Sequence, residues 1–371
     1  MTIFKRTDTS LISNWYWTID LLTLIAIILL IAIGIILNLT ASPSVAERIG
    51  ANYSYFIFHQ LALLPLTILV IFGVSLITLK NIHTLTFIIF LISIILMVAT
   101  LFFGQEIKGA TRWITFAGIS IQPSEFAKPT FAVIIAWLFS KQHLSKTLGN
   151  LISFGLFLLV AYLLLLQPDF GMTLVISAVW FTEFLISGLP LILILMIITV
   201  GLIGGICAYL TFSHVTNRID QFFDKSIGDN YQITTALHAF NHGGFFGRGP
   251  GEGRVKTILP DAHTDFIMAV AGEEFGLILC LIIVGIFTFI IIRSFTRILT
   301  EENLFVFLAT SGILVQFGLQ AIINMASTLH LIPTKGMTLP FISYGGSSML
   351  SLALGMGIML SLTRKRYCNE S

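Results

Sequence analysis

Apolar residues in this chain neither alternate nor recur every third or fourth position; they run on, window after window, with polar residues collected in the gaps. Runs of this length read as membrane-crossing helices, because about 20 residues at ~1.5 Å rise span the ~30 Å hydrocarbon layer. Ten windows are predicted: 18–39, 56–79, 82–103, 124–140, 151–166, 171–187, 189–212, 265–292, 304–328 and 338–362. The predicted fold is all-α, a polytopic integral membrane protein forming one domain over residues 1–371, with a long loop at about 213–264 between the seventh and eighth helices.

Composition agrees. Of 371 residues, 56% are hydrophobic and only 10% charged, too few charges to coat a water-soluble surface. A net charge of +2 gives no reason to expect nucleic acid. Cys207, Cys280 and Cys368 show no disulfide framework. The first apolar run is too long for a signal-peptide core and is expected to be retained.

An even number of spans puts both termini on one face. Ten basic residues fall there (Lys5, Arg6, Lys80, Lys141, Lys146, Arg293, Arg297, Arg364, Lys365 and Arg366), against four opposite (Arg48, Lys108, Arg112 and Lys335). The positive-inside bias therefore assigns the termini to the cytoplasm. The loops after spans three, five, seven and nine then face outward, and they hold nearly every polar cluster. Nucleotide-activated sugars are cytoplasmic, so an outward-facing enzyme must draw its activated substrate from the membrane; no nucleotide cofactor is expected.

The densest polar stretch is 243–276, a glycine-studded loop running into an apolar helix. Gly247, Gly249, Gly251 and Gly253 lack the preceding strand of a dinucleotide site, and Pro250 interrupts them. Two readings remain: an ordinary solvated loop, or bare amides that approach an anionic head group with Arg248, Arg254 and Lys256. His263 and Asp265 have the spacing of a ligand pair, but two ligands are too few for a metal site. Asp265 opens the eighth span, where it favours the positive end of the helix dipole and Thr264 can cap. That span, 28 residues and about 42 Å long, exceeds the hydrocarbon core, which presents Asp265 to the polar loop. Glu125, Lys128, Asp169, Glu183, Glu273 and Glu274 lie within or at the ends of spans, where charges normally pair or face a polar cavity. Glu125 and Lys128, three apart, share one helical face.

G-A-T-R-W-I at 109–114, Q-P-S-E-F-A-K at 122–128, Q-P-D-F-G at 167–171, G-G-F-F-G-R-G-P-G at 243–251, L-P-D-A-H-T-D-F at 259–266, G-E-E-F-G at 272–276 and L-P-F-I-S-Y-G-G-S-S at 339–348 occur in one order along nearly the whole chain. In this the sequence resembles the SEDS family of bacterial wall growth, division and sporulation. Its G-R-G-P-G-E-G-x-V-K and L-P-D-A-H-T-D phrasing looks more like the septal than the elongation member. Asn241–His242, where small residues are usual, departs from the pattern.

The resemblance implies a peptidoglycan glycosyltransferase that polymerises lipid II on the outer face by a single inverting displacement. It implies Asp265 as general base. Arg112, Arg248, Arg254 and Lys256 are candidates to hold pyrophosphate, with Glu125, Lys128, Asp169, His263, Ser343 and Tyr344 as further substrate-binding candidates. A divalent cation such as Mg could share the charge, although no ligand set is legible. The implied partners are a class B penicillin-binding transpeptidase and other divisome membrane proteins. A lipid-precursor flippase, a non-catalytic scaffold and the elongation-type polymerase remain alternatives.

Overall fold

The computed structural model of the protein describes residues 10–365 apart from 49, 51, 53, 54, 108, 109, 117, 118, 141–145, 189, 190, 212–215, 217–219, 221–230, 334 and 335. Most of the predicted long loop before residue 231 therefore lies outside the described residues, as do Lys108, Lys141, Lys335 and Arg366.

The chain forms α1 (Leu11–Thr18), α2 (Leu21–Arg48), α3 (Tyr55–Ser75), α4 (Leu79–Phe103), β1 (Gln105–Ile107), β2 (Ala110–Phe116), β3 (Ile119–Ile121), α5 (Pro123–Ser140), α6 (Lys146–Leu166), α7 (Phe170–Ile186), α8 (Leu191–Thr211), α9 (Tyr231–Gly243), α10 (Ile267–Ile298), α11 (Leu304–Thr328) and α12 (Gly346–Leu362). Six helices among the described residues, α2, α3, α4, α6, α10 and α11, are long and apolar enough to cross a membrane. The helical part of the expectation is met; the strands were not expected. They form an antiparallel sheet in the order β1-β2-β3, with Glu106 opposite Thr111 and Ile114 opposite Ile121.

The helices are apolar outside and more polar inside. On α4 the inward stripe is Ile82, Thr86, Phe90, Ser93, Met97 and Thr100, while Phe87, Ile88, Leu91, Ile92 and Ile95 are exposed. A water-soluble helix would reverse this; lipid accepts the apolar face, and small hydroxyls let helices approach closely. Those hydroxyls satisfy themselves on their own helix: Thr86 Oγ1 donates to Ile82 O at 2.8 Å and Ser93 Oγ to Ile89 O at 2.8 Å. The centre is α11, packed on α5, α7, α10 and α12.

Both ends of the described chain meet at one end of the bundle. Buried Asp20 accepts from Arg293 at 2.8 Å and pairs with Arg297 at 3.0 Å. Lys365 N donates to Thr18 O at 2.9 Å, and Ser361 Oγ to Ile77 O at 2.6 Å. The sheet and the polar motifs gather at the other end.

Two boundaries differ from expectation. The eighth span is not one straight helix: α10 breaks at Gly276 (φ 75°, ψ −172°), leaving a short buried segment before it and a segment with an exposed apolar face after it. The length of about 42 Å therefore says nothing about where Asp265 sits. The tenth span begins at Gly346 rather than 338, because residues 336–345 run as non-helical backbone. Such backbone is tolerated at depth only when protein surrounds it. Here α2 supplies the cover: a side chain at Gly34 would fall 2.5 Å from Phe341 O, and Asn38 Nδ2 donates to Ile342 O at 2.7 Å.

Candidate active site

The site starts from the break in α10. A helix interrupted after Phe275 leaves the carbonyls of Glu273 and Glu274 and the amides of Leu277 and Ile278 without their usual partners. The glycine loop supplies all four. Arg248 N donates to Glu273 O at 3.0 Å and Gly249 N to Glu274 O at 2.9 Å. Leu277 N donates to Gly244 O at 3.0 Å and Ile278 N to Phe245 O at 3.4 Å. Only glycine permits so close an approach: a Cβ at Gly247 would lie 2.2 Å from Glu274 O, and one at Gly243 only 1.9 Å from Gly272 O. Of the two readings of this loop, the amides of Arg248 and Gly249 thus serve the helix rather than an anion.

The two glutamates then fix the next turn. Buried Glu273 accepts from the amides of Arg254 (2.8 Å), Val255 (2.8 Å) and Lys256 (2.9 Å), and His242 Nδ1 donates to it at 3.0 Å. Glu274 takes the ammonium of Lys256, which also donates to Gly251 O. Lys256 is therefore buried and paired within the protein, whereas Arg248 and Arg254 are exposed.

From there the chain turns into Asp265. Arg48 donates to Leu259 O at 2.6 Å, and Asp261, at φ 52°, accepts through its carbonyl from the amides of Thr264 and Asp265, both at 3.1 Å. The expected capping arrangement is corrected here. The helix begins at Ile267 with Phe266 as an N-cap that makes no side-chain cap, and Thr264 Oγ1 donates instead to Asp261 O at 3.2 Å. Asp265 precedes the helix, half-buried.

Opposite it runs the 336–345 segment. A methyl at Gly336 would lie 3.1 Å from Asp265 Oδ2, so the carboxylate faces this segment. Buried Ser343 staples the two together: its Oγ donates to Thr264 O and accepts from Leu339 N at 2.8 Å. Tyr344 N donates to His263 O at 2.9 Å, and the buried His263 ring lies 4.6 Å from Phe56 and 5.2 Å from Tyr344. Burial, with a smaller contribution from Tyr55, pushes the Tyr344 phenol up to about 12.

The charged residues of the bundle interior adjoin this unit through α11. Lys128 Nζ pairs with Glu125 Oε2 at 2.9 Å and donates to Gln320 Oε1 at 3.0 Å. Gln320 Nε2 donates to Thr338 O at 3.1 Å, and one helical turn on, Asn324 Nδ2 donates to Asp265 O at 2.9 Å. Asp169 caps α7 by accepting from Met172 N at 3.2 Å. Its charge partner is Arg112 of β2 at 3.5 Å, which also donates to Gln167 O at 3.0 Å and to Pro168 O. Burial raises the Asp169 carboxyl, with Arg112 opposing. Glu183 stands apart, wedged against Gly312 of α11; neither of its oxygens has a hydrogen-bond partner among the described residues.

The structure thus brings Asp265, His263, Ser343 and Tyr344 into one unit, joins Glu125 and Lys128 to it through Gln320, and sets Asp169 with Arg112. Sequence reasoning assigned no role to Gln320 or Asn324. Their signal was two amides four residues apart on one face of an apolar span. Among the described residues no three His, Cys, Asp or Glu side chains converge to hold a metal ion.

The chain is 40% identical to the probable peptidoglycan glycosyltransferase FtsW of Caulobacter vibrioides, covering 98% of this chain and 94% of that protein. The corresponding protein of Trichlorobacter lovleyi is 34% identical, with 93% of each chain covered. In fold it is similar to a chain of a peptidoglycan synthase complex that coordinates polymerization and crosslinking (TM-score 0.78, 23% identity, 93% of this chain and 97% of that one). It is also similar to the rod shape determining protein RodA of Thermus thermophilus (TM-score 0.68, 24% identity, 93% and 96% covered). The model of the FtsW/RodA/SpoVE cell cycle proteins matches residues 20–368. Since that match takes in both halves of the broken helix, the Asp265 turn and the segment facing it, the chain belongs to the FtsW/RodA/SpoVE family.

Proposed function

We propose that the protein is a peptidoglycan glycosyltransferase that polymerises lipid II into β-1,4-linked strands at the outer face of the cytoplasmic membrane, in septal wall synthesis. The names of its relatives support the activity. One observation carries the site: the Asp265 turn is held by its backbone and aims its carboxylate at Gly336, at the bundle end where the polar motifs gather. Ten spans with both termini cytoplasmic and the 213–264 loop outside complete the reading; the shared location of residues 18–20 and 361–365 supports it.

The acceptor hydroxyl oxygen attacks the donor's anomeric carbon while the bond from that carbon to the pyrophosphate oxygen breaks. The hydroxyl proton passes to Asp265, and pyrophosphate leaves unprotonated on its lipid. One base suffices, because the leaving group needs no acid. Exposed Arg248 and Arg254, with half-exposed Arg112, are placed to attract the pyrophosphate charge. A class B penicillin-binding transpeptidase is the proposed partner, with other divisome membrane proteins around it.

Asp265→Asn keeps size but cannot take the proton. In purified protein given lipid II, polymerisation should fall by roughly 10²-fold or more. Strands made at a rate within a few fold of wild type would remove Asp265 from the chemistry.

A further inference from the structure

The amide of Asn324 holds both walls of the site. Asn324 lies on α11, 1% exposed. Its single Nδ2 donates to Asp265 O at 2.9 Å and to Met337 O at 2.6 Å. Both carbonyls lie outside helices and strands, and Asn324 supplies each with a donor. Asp265 N is already bonded to Asp261 O at 3.1 Å, which leaves the backbone of Asp265 tied on both sides. Met337 follows Gly336, the residue that faces the Asp265 carboxylate. One side-chain amide therefore sets the distance between the residue bearing the carboxylate and the segment opposite it. Gln320 repeats the device one turn away, donating to Thr338 O at 3.1 Å, so residues 337–338 are gripped by two amides on one face of α11.

We propose that Asn324 is a positioning residue: it fixes the gap between Asp265 and the Gly336–Met337 segment, and so places the base on the acceptor hydroxyl. This rests on Asp265 being the base. A misplacement of about 1 Å at a reacting group can lower a rate by about 10²-fold, so the effect should be large although Asn324 touches no substrate.

The test uses full-length protein in liposomes with lipid II and four forms: Asn324→Leu, Asn324→Ser, Asp265→Asn and the double variant Asp265→Asn/Asn324→Leu. Asn324→Leu should lower kcat by about 10-fold or more with KM within about 2-fold, because ground-state contacts are untouched. Asn324→Ser, which keeps one donor, should fall between Leu and wild type. Added to Asp265→Asn, Asn324→Leu should cause no further loss, since a residue that acts through the base has nothing left to position.

Wild-type kcat in folded Asn324→Leu, a rise in KM alone, or full multiplication of the two losses in the double variant would each overturn the proposal. If Asn324→Leu does not fold, Asn324→Ser decides: kcat lowered at constant KM supports the proposal, and wild-type kcat overturns it. An Asp265→Asn protein that retains its rate sinks the base assignment itself. An inactive Asp265→Asn beside a fully active Asn324→Leu sinks only the positioning role.

Discussion

Replacing Gly276 by alanine should damage this protein more than the same change at Gly244 in its partner loop. At φ 75° and ψ −172°, Gly276 occupies a region open essentially to glycine alone, and forcing another residue there costs about 1–3 kcal/mol. The new methyl would also fall 2.3 Å from Phe245 O and 2.5 Å from Gly247 N. Both are backbone atoms of the loop that completes the broken helix, so relief requires the loop to move. Moving it loosens up to four backbone hydrogen bonds, each worth ~0.5–1.5 kcal/mol. Strain plus two lost bonds comes to about 2–6 kcal/mol. At ~2 °C per kcal/mol for a large domain, the melting temperature should drop by roughly 4 °C or more. Gly244→Ala is the control: its φ of 60° carries the strain of a left-handed residue, but nothing lies within 4 Å of its Cβ position. Thermal unfolding of both variants in the same detergent compares the two terms directly. Equal losses would mean that the backbone contact at Gly276 contributes nothing.

Gly336→Ala puts a methyl 3.1 Å from Asp265 Oδ2 and should lower polymerisation several-fold while the melting temperature holds; unchanged turnover would place the carboxylate elsewhere during reaction. Lys128→Met leaves Glu125 without its cation in the bundle interior, a loss of about 3–5 kcal/mol that should appear as reduced folded yield in membranes. Normal yield with lost turnover would instead assign Lys128 to the substrate. Asp20 gives a pH dependence: burial raises its carboxyl, but hydrogen bonds from Arg293 and Thr23 and the charge of Arg297 bring it below the usual range. A carboxyl lowered by folding stabilises above its unfolded value near ~3.9 and loses that contribution as pH falls through the lower folded value. Asp20→Asn should therefore melt below wild type at neutral pH, and the gap should close as pH drops below about 4.

The apolar windows located the helices because lipid imposes a length, and that constraint is visible without an alignment. They missed the sheet, whose strands of 3, 7 and 3 residues are shorter than any hydropathy window. They also drew α10 as continuous, since Gly276 sits in an apolar run and only its partner loop reveals why the helix stops there. Asp265 was singled out by its motif. That it precedes the helix instead of opening it was not legible, because whether a residue lies at the cap or before it depends on the turn at Asp261. The charge of Lys256 suggested a phosphate, and only the fold brings Glu274 beside it. Gln320 and Asn324 were given no role, because only the packing of α11 brings Thr338 and Asp265 beside them.

The loop at 243–249 and the helix break at 273–278 are two stretches of chain that complete one object. Neither is a finished part by itself: the loop has glycines with nothing to lie against, and the helix has a gap with nothing to fill it. Anyone assembling hybrids between members of this family should treat the pair as a single cassette. Exchanging one stretch and keeping the other would join halves of two different locks.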